Sequence, residues 1–130
     1  MRLATNMVRA KAAKAPLESD PALSKAALSL AQDLAKADKK DLDKDINMKL
    51  DDRVAAAGFT GKNIKANVFS EDKRDPKDYE GATLAAVGQW TTSKDATAGL
   101  EDDNHKYIGS AGFLSDSGRA YYASLYAAFR

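Results

Sequence analysis

The chain has no cysteine, so no disulfide can staple it, no thiolate can act as nucleophile, and no Cys-ligated zinc or iron–sulfur centre can form. It has one histidine, His105, which excludes any mechanism that needs two imidazoles from one chain. Charge of one sign is lacking as well: 20 Lys and Arg stand against 19 Asp and Glu, a formal charge of +1. Binding of nucleic acid or an anionic membrane by bulk electrostatics is thereby excluded. There is no apolar run long enough to cross a bilayer, and the start Met1-Arg2-Leu3-Ala4-Thr5-Asn6 lacks the apolar core of a secretory signal. On this reading the protein is expected to be cytoplasmic, or a mature segment given a new Met.

What is present is an ordinary globular composition, 44% hydrophobic and 30% charged over 130 residues. A chain of that length buries about two-thirds of its unfolded surface and has room for one core, so residues 1–130 are read as one domain. Leu3, Met7, Val8 and Ala12 recur at helical spacing and predict a short helix over 2–14, ended before Pro16. Asp20-Pro21 is a helix start, Asp capping the first turn and Pro preorganised behind it. Leu23, Ala27, Leu30 and Leu34 then make one apolar stripe over 20–36. The alternating charges from Asp38 to Asp45 read as a solvated loop or a frayed turn. Leu50, Val54 and Ala57 mark a third helix that Gly58 can end.

Ile64, Ala66 and Val68 alternate with Lys65 and Asn67, which predicts a strand with one buried face. A fourth helix is expected over 78–91, then a hairpin of 106–113 and 119–129 around Ser115-Asp116-Ser117-Gly118. The expected fold is α+β: a three-layer α/β/α sandwich whose central sheet is three-stranded and antiparallel.

Catalytic patterns are sparse. Glu101-Asp102-Asp103-Asn104 lacks the spaced oxygen ligands, Gly and closing Glu of a calcium loop. The serines Ser93, Ser110, Ser115, Ser117 and Ser124 include no nucleophile elbow. His105 reads as a surface or strand-end side chain rather than a ligand beside those acids. Arg2, Arg9, Lys11 and Lys14 lie in a segment without acids. They read as a solvated helix face, with a positive patch toward a protein partner as the other reading. Trp90, Tyr107, Phe113, Tyr122 and Tyr126 gather aromatic area in the C-terminal half, which reads as core and cross-strand packing.

Several short motifs follow one another along the chain: Arg9-Ala10, Pro16-Leu17, Asp20-Pro21-Ala22-Leu23-Ser24-Lys25-Ala26-Ala27, Arg53-Val54 with Ala57-Gly58-Phe59, Gly61-Lys62-Asn63-Ile64, Trp90-Thr91-Thr92-Ser93, Ile108-Gly109-Ser110-Ala111 and Gly118-Arg119-Ala120-Tyr121-Tyr122. In this order they resemble the CAP superfamily of cysteine-rich secretory, antigen 5 and pathogenesis-related proteins. The resemblance spans about Asn6 to Phe129. It implies a cleft with two His and two acids able to hold a divalent cation. Here the motif acid is Lys62, beside Asn63; the His expected after Trp-x-x-Ser is Ala96; and residues 35–52 contain no His.

The chain is accordingly similar to a degenerate, Cys-free member of that family, without enzymatic activity, cofactor or metal. Family resemblance implies a secreted or extracytoplasmic location. The resemblance implies two roles: binding of a small apolar ligand of lipid or sterol class, in a groove that Trp90, Tyr107, Phe113, Tyr122 and Tyr126 would line, or of a protein partner; or service as a structural or accessory subunit of a larger extracellular or envelope assembly.

Overall fold

A computed structural model describes residues 2–37, 50–61, 64–72, 79–92, 104–115 and 118–128. The first helix, α1, covers Arg2–Lys11, shorter than the pattern suggested because Ala13 takes a left-handed conformation (φ 59°) and turns the chain. Asn6 then clips the returning segment: its side chain accepts from the Leu17 amide (2.8 Å) and donates to the Leu17 carbonyl (3.2 Å). That clip lays Glu18–Ser19 down as a two-residue strand, β1.

Helix α2 follows at Pro21–Ala37. Asp20 caps it, accepting from the amides of Ala22 (2.9 Å) and Leu23 (3.1 Å), which satisfies donors that a helix start leaves unpaired. Its stripe Leu23, Ala27, Leu30 and Leu34 is buried as expected. Helix α3, Leu50–Ala56, ends at Gly58 (φ 90°), and the Phe59 amide closes back on the Val54 carbonyl at 2.8 Å. Strand β2 is Lys65–Asp72, helix α4 Tyr79–Trp90, and strands β3 and β4 are Tyr107–Leu114 and Arg119–Ala127. The charged stretch Asp38 to Asp45 lies outside the described residues.

The sheet corrects the three-stranded expectation. Its order is β1-β3-β4-β2, with β4 antiparallel to both neighbours and β1 parallel to β3, a four-stranded mixed sheet. Two residues carry no alternation from which β1 could be read. The strand exists because the Glu18 amide reaches the Lys106 carbonyl (2.9 Å) and the Asp20 amide reaches that of Ile108 (3.0 Å).

Strand β4 is central and buried from Ala120 to Ala127. Because side chains alternate across a strand, Tyr121, Ala123, Leu125 and Ala127 join α2 and α3 in one cluster, whereas Ala120, Tyr122 and Tyr126 join residues of α1 and α4 in another. The single buried face expected for β2 is likewise corrected: Ile64 packs into the first cluster, but Phe69 is buried in the second and Asn67 is buried too. Asn67 tolerates this because it donates to the Tyr126 hydroxyl at 3.3 Å. Helix α2 crosses β3 so closely at Gly109 that a Cβ there would overlap the backbone of Leu23 and Ser24. No other residue fits at that crossing.

Candidate functional site

Helices α1 and α4 do not close completely over their side of the sheet. Between them runs a groove of about 450 Å³, walled by Ala4, Met7, Val8 and Lys11 of α1 with Ala12 just after it, and by Leu84, Val87 and Gly88 of α4 with Thr91 just after it. The α1 residues recur every three or four positions and so share one flank of that helix, and the α4 residues do the same. Ala4 and Val87 are buried at the floor, while Met7 is 61% and Leu84 55% exposed. Two large apolar side chains thus face solvent across a recess in which, among the described residues, the only ionic group is the exposed Lys11. Chemically the groove can hold an apolar chain and neutralise one anionic group. Among the described residues that line it, no nucleophile is paired with a base.

The aromatic residues singled out in the sequence do not line one groove. Trp90, Tyr122 and Tyr126 belong to the cluster beneath α1 and α4, where they form its support. The Trp90 indole donates to the Val68 carbonyl (2.9 Å), and Tyr122 stacks on Phe69 with centroids 6.1 Å apart. Tyr126 is fully buried, and this pushes its phenol well above the ordinary range, against the opposing pull of Asn67, Ser124, Thr5 and the Arg9 charge. Tyr107 packs against the other cluster, and Phe113 is exposed near the end of the hairpin. Lys62, Asn63 and Ala96, together with Glu101, Asp102 and Asp103, lie outside the described residues.

Two polar residues are placed differently from their sequence reading. His105 does precede β3, but it is 5% exposed and stacks on Tyr126 at 5.4 Å with ring planes 8° apart. It is a packed core histidine rather than a surface one. Arg9 is fully buried, so it belongs to no solvated face or positive patch. Its Nε donates to the Ala15 carbonyl (2.7 Å) and its Nη2 to that of His105 (3.4 Å), carbonyls that only the return of the chain after α1 and the arrival of β3 bring within reach.

Met7 and Leu84 were legible as apolar positions on helices, but their exposure depends on how α1 and α4 meet. A second recess of about 430 Å³ lies between α2 and α3. Its Arg53 is engaged with Asp33 (2.6 Å) and Ser29 (2.8 Å). Among the described residues no group of three or more His, Asp or Glu could hold a metal ion, and no helix is long and apolar enough to cross a membrane.

Comparison with known proteins bears on the family and the fold. A family model described as the cysteine-rich secretory protein family, CAP, matches residues 3–126. No curated protein matches the sequence significantly. Among solved structures, an outer surface protein from Borrelia burgdorferi superposes with a TM-score of 0.73 at 16% identity, over 97% of this chain and 87% of that one. An extracellular protein containing an SCP domain from Bacillus anthracis gives 0.70 at 16% identity, covering 95% of this chain and 37% of that one. A cysteine-rich secretory protein from Staphylococcus aureus gives 0.68 at 16% identity, covering 97% and 36%.

Proposed function

The chain belongs to the cysteine-rich secretory protein (CAP) family, and from that premise we propose that it is a non-enzymatic, secreted or extracytoplasmic domain that binds a lipid-class molecule in the groove between α1 and α4. The observation that carries the reading is the pair Met7 and Leu84, 61% and 55% exposed on facing walls of an otherwise apolar recess. Leaving two such side chains in water is unfavourable, and each ligand methylene they sequester contributes about 0.8 kcal/mol. The α1 wall runs from Ala4 to Lys11, about 10 Å at 1.5 Å per residue, a length suited to an acyl chain lying along the helix. Lys11 supplies the charge for an anionic head group. In the three-layer reading of the fold, this groove belongs to the outer layer of helices.

The family's divalent-cation set does not fit the residues present. Lys62 and Ala96 stand at two of its motif positions and neither is a ligand, while the one imidazole, His105, is packed on Tyr126. No step is therefore assigned to a metal. The outer-surface and extracellular descriptions of two structural neighbours support an extracytoplasmic site of action.

Titration with cis-parinaric acid, a fluorescent fatty acid, tests the reading. Saturable one-to-one binding is expected, weakened tenfold or more by Met7→Asp or Leu84→Asp, because each places a carboxylate in the apolar path of the chain. Thermal unfolding of the free variants should be nearly unchanged, since both positions are exposed. Absence of saturable binding, or affinity indifferent to both substitutions, overturns it.

A further inference from the structure

We propose that Met7 is a redox-regulated position: hydrogen peroxide converts its thioether to the sulfoxide, which closes the α1–α4 groove to lipid, while bound lipid shields the sulfur. This regulation rests on the lipid-binding reading of that groove. Met7 is the only methionine among the described residues, and it is 61% exposed on the groove wall. It belongs to neither buried cluster, so a change at its sulfur alters the wall and leaves the core as it is. The chain has no cysteine, so no thiolate competes for the oxidant.

The reaction needs only access to the sulfur. A sulfur lone pair attacks one peroxide oxygen, the S–O bond forms as the O–O bond breaks, and the departing hydroxide takes the proton left on the transferred oxygen and leaves as water. Sulfur gives up two electrons and the peroxide gains them. A flexible apolar side chain thereby becomes a polar one, and methionine sulfoxide reductases, one for each epimer, restore it. That reversibility separates regulation from damage.

In the free protein the sulfoxide oxygen stays in water and costs the fold little. With an acyl chain in the groove, the same oxygen would lie against methylenes that offer it no donor, and covering an unpaired polar group is unfavourable. Leu84 on the facing wall offers none either. Lys11 does carry a donor: it stands four residues on from Met7, on the same flank of α1, and among the described residues its ammonium is engaged by no hydrogen bond or ion pair. A sulfoxide that accepts from Lys11 occupies the charge that a lipid carboxylate needs. Oxidation at this one sulfur therefore acts on both the apolar path and the head-group charge. The effect runs the other way too, because a chain lying over Met7 keeps peroxide from it.

Peroxide treatment of the full chain, followed by removal of the oxidant and titration with cis-parinaric acid, tests this. Peptide mass spectrometry should show one oxygen gained at Met7. Affinity should fall tenfold or more, with thermal unfolding nearly unchanged, and should return on treatment with both reductases. Met7→Leu, compared with its own untreated form, should lose nothing, which separates Met7 from Met1 and Met48. Saturating dodecanoate, a saturated chain that peroxide does not attack, should slow oxidation of Met7 severalfold. Failure of the untreated chain to bind overturns the lipid reading and this regulation with it. Binding that survives full oxidation of Met7, an equal loss in treated Met7→Leu, or an oxidation rate indifferent to dodecanoate overturns the regulation alone.

Discussion

Tyr126 shows how one buried phenol couples this core to pH. It has no exposure, and burial disfavours its anion, so its folded pKa lies above the ordinary value of about 10. Between those two values the unfolded chain releases a proton that the folded one keeps. Stability is therefore fully present below about pH 10 and falls as pH rises above it, with a slope from this group approaching 1.4 kcal/mol per unit at about pH 11. Tyr126→Phe should remove that component from the alkaline limb. At neutral pH the same change should cost about 1 kcal/mol, through loss of the bond from Asn67. Urea unfolding at neutral pH and at about pH 11 reads both effects.

Among the elements, α2 is the one whose local chemistry and tertiary packing agree most fully. A capping Asp, a Pro behind it and a buried stripe all specify the same helix. The cap is separable from the stripe, since Asp20 Oδ1 accepts from the first-turn amides of Ala22 and Leu23 while the stripe packs through apolar side chains. Asp20→Ala should cost about 1 kcal/mol and Asp20→Asn much less. The denaturant midpoint should shift with its slope unchanged, because the surface exposed on unfolding is the same. Helices α1 and α4 contrast with α2, for part of their apolar surface remains in the groove with Met7 and Leu84 uncovered. Apolar surface on a helix therefore does not by itself distinguish a core flank from one left open in a groove.

At the scale of the molecule, Arg9 joins parts of the chain far apart in sequence. Its guanidinium holds the Ala15 carbonyl, just past α1, and the His105 carbonyl, just before β3. Arg9→Met retains much of the bulk but leaves both carbonyls without that donor, and should destabilise the whole domain by about 3 kcal/mol. Hydrogen exchange should then quicken first in α1, which loses its tie to the sheet. Ligand affinity in the α1–α4 groove should fall with it, whereas the Met7 and Leu84 substitutions should lower affinity alone.

Patterns carried within one segment were decided by the sequence itself. The stripe of α2, the Asp20-Pro21 start, the Gly58 stop and the β3–β4 hairpin depend on neighbours a few residues away, and the ordered motifs from Arg9 to Tyr122 were enough to indicate the family. Tertiary structure alone decided whatever depends on distant partners. Strand β1 exists because Lys106 and Ile108 offer it carbonyls. Strand β2 packs on both faces because Phe69 joins residues of α4 in the second cluster while Ala66 and Val68 pack, partly buried, against the first. Arg9 and His105 are interior because each meets its partners only after the chain has folded back. The groove is of the same kind: five aromatic residues suggested one, but three of them became its support, while Met7 and Leu84 became its walls. Periodicity reports which residues share a face, but burial is set by what packs against that face, and here those partners come from distant parts of the chain.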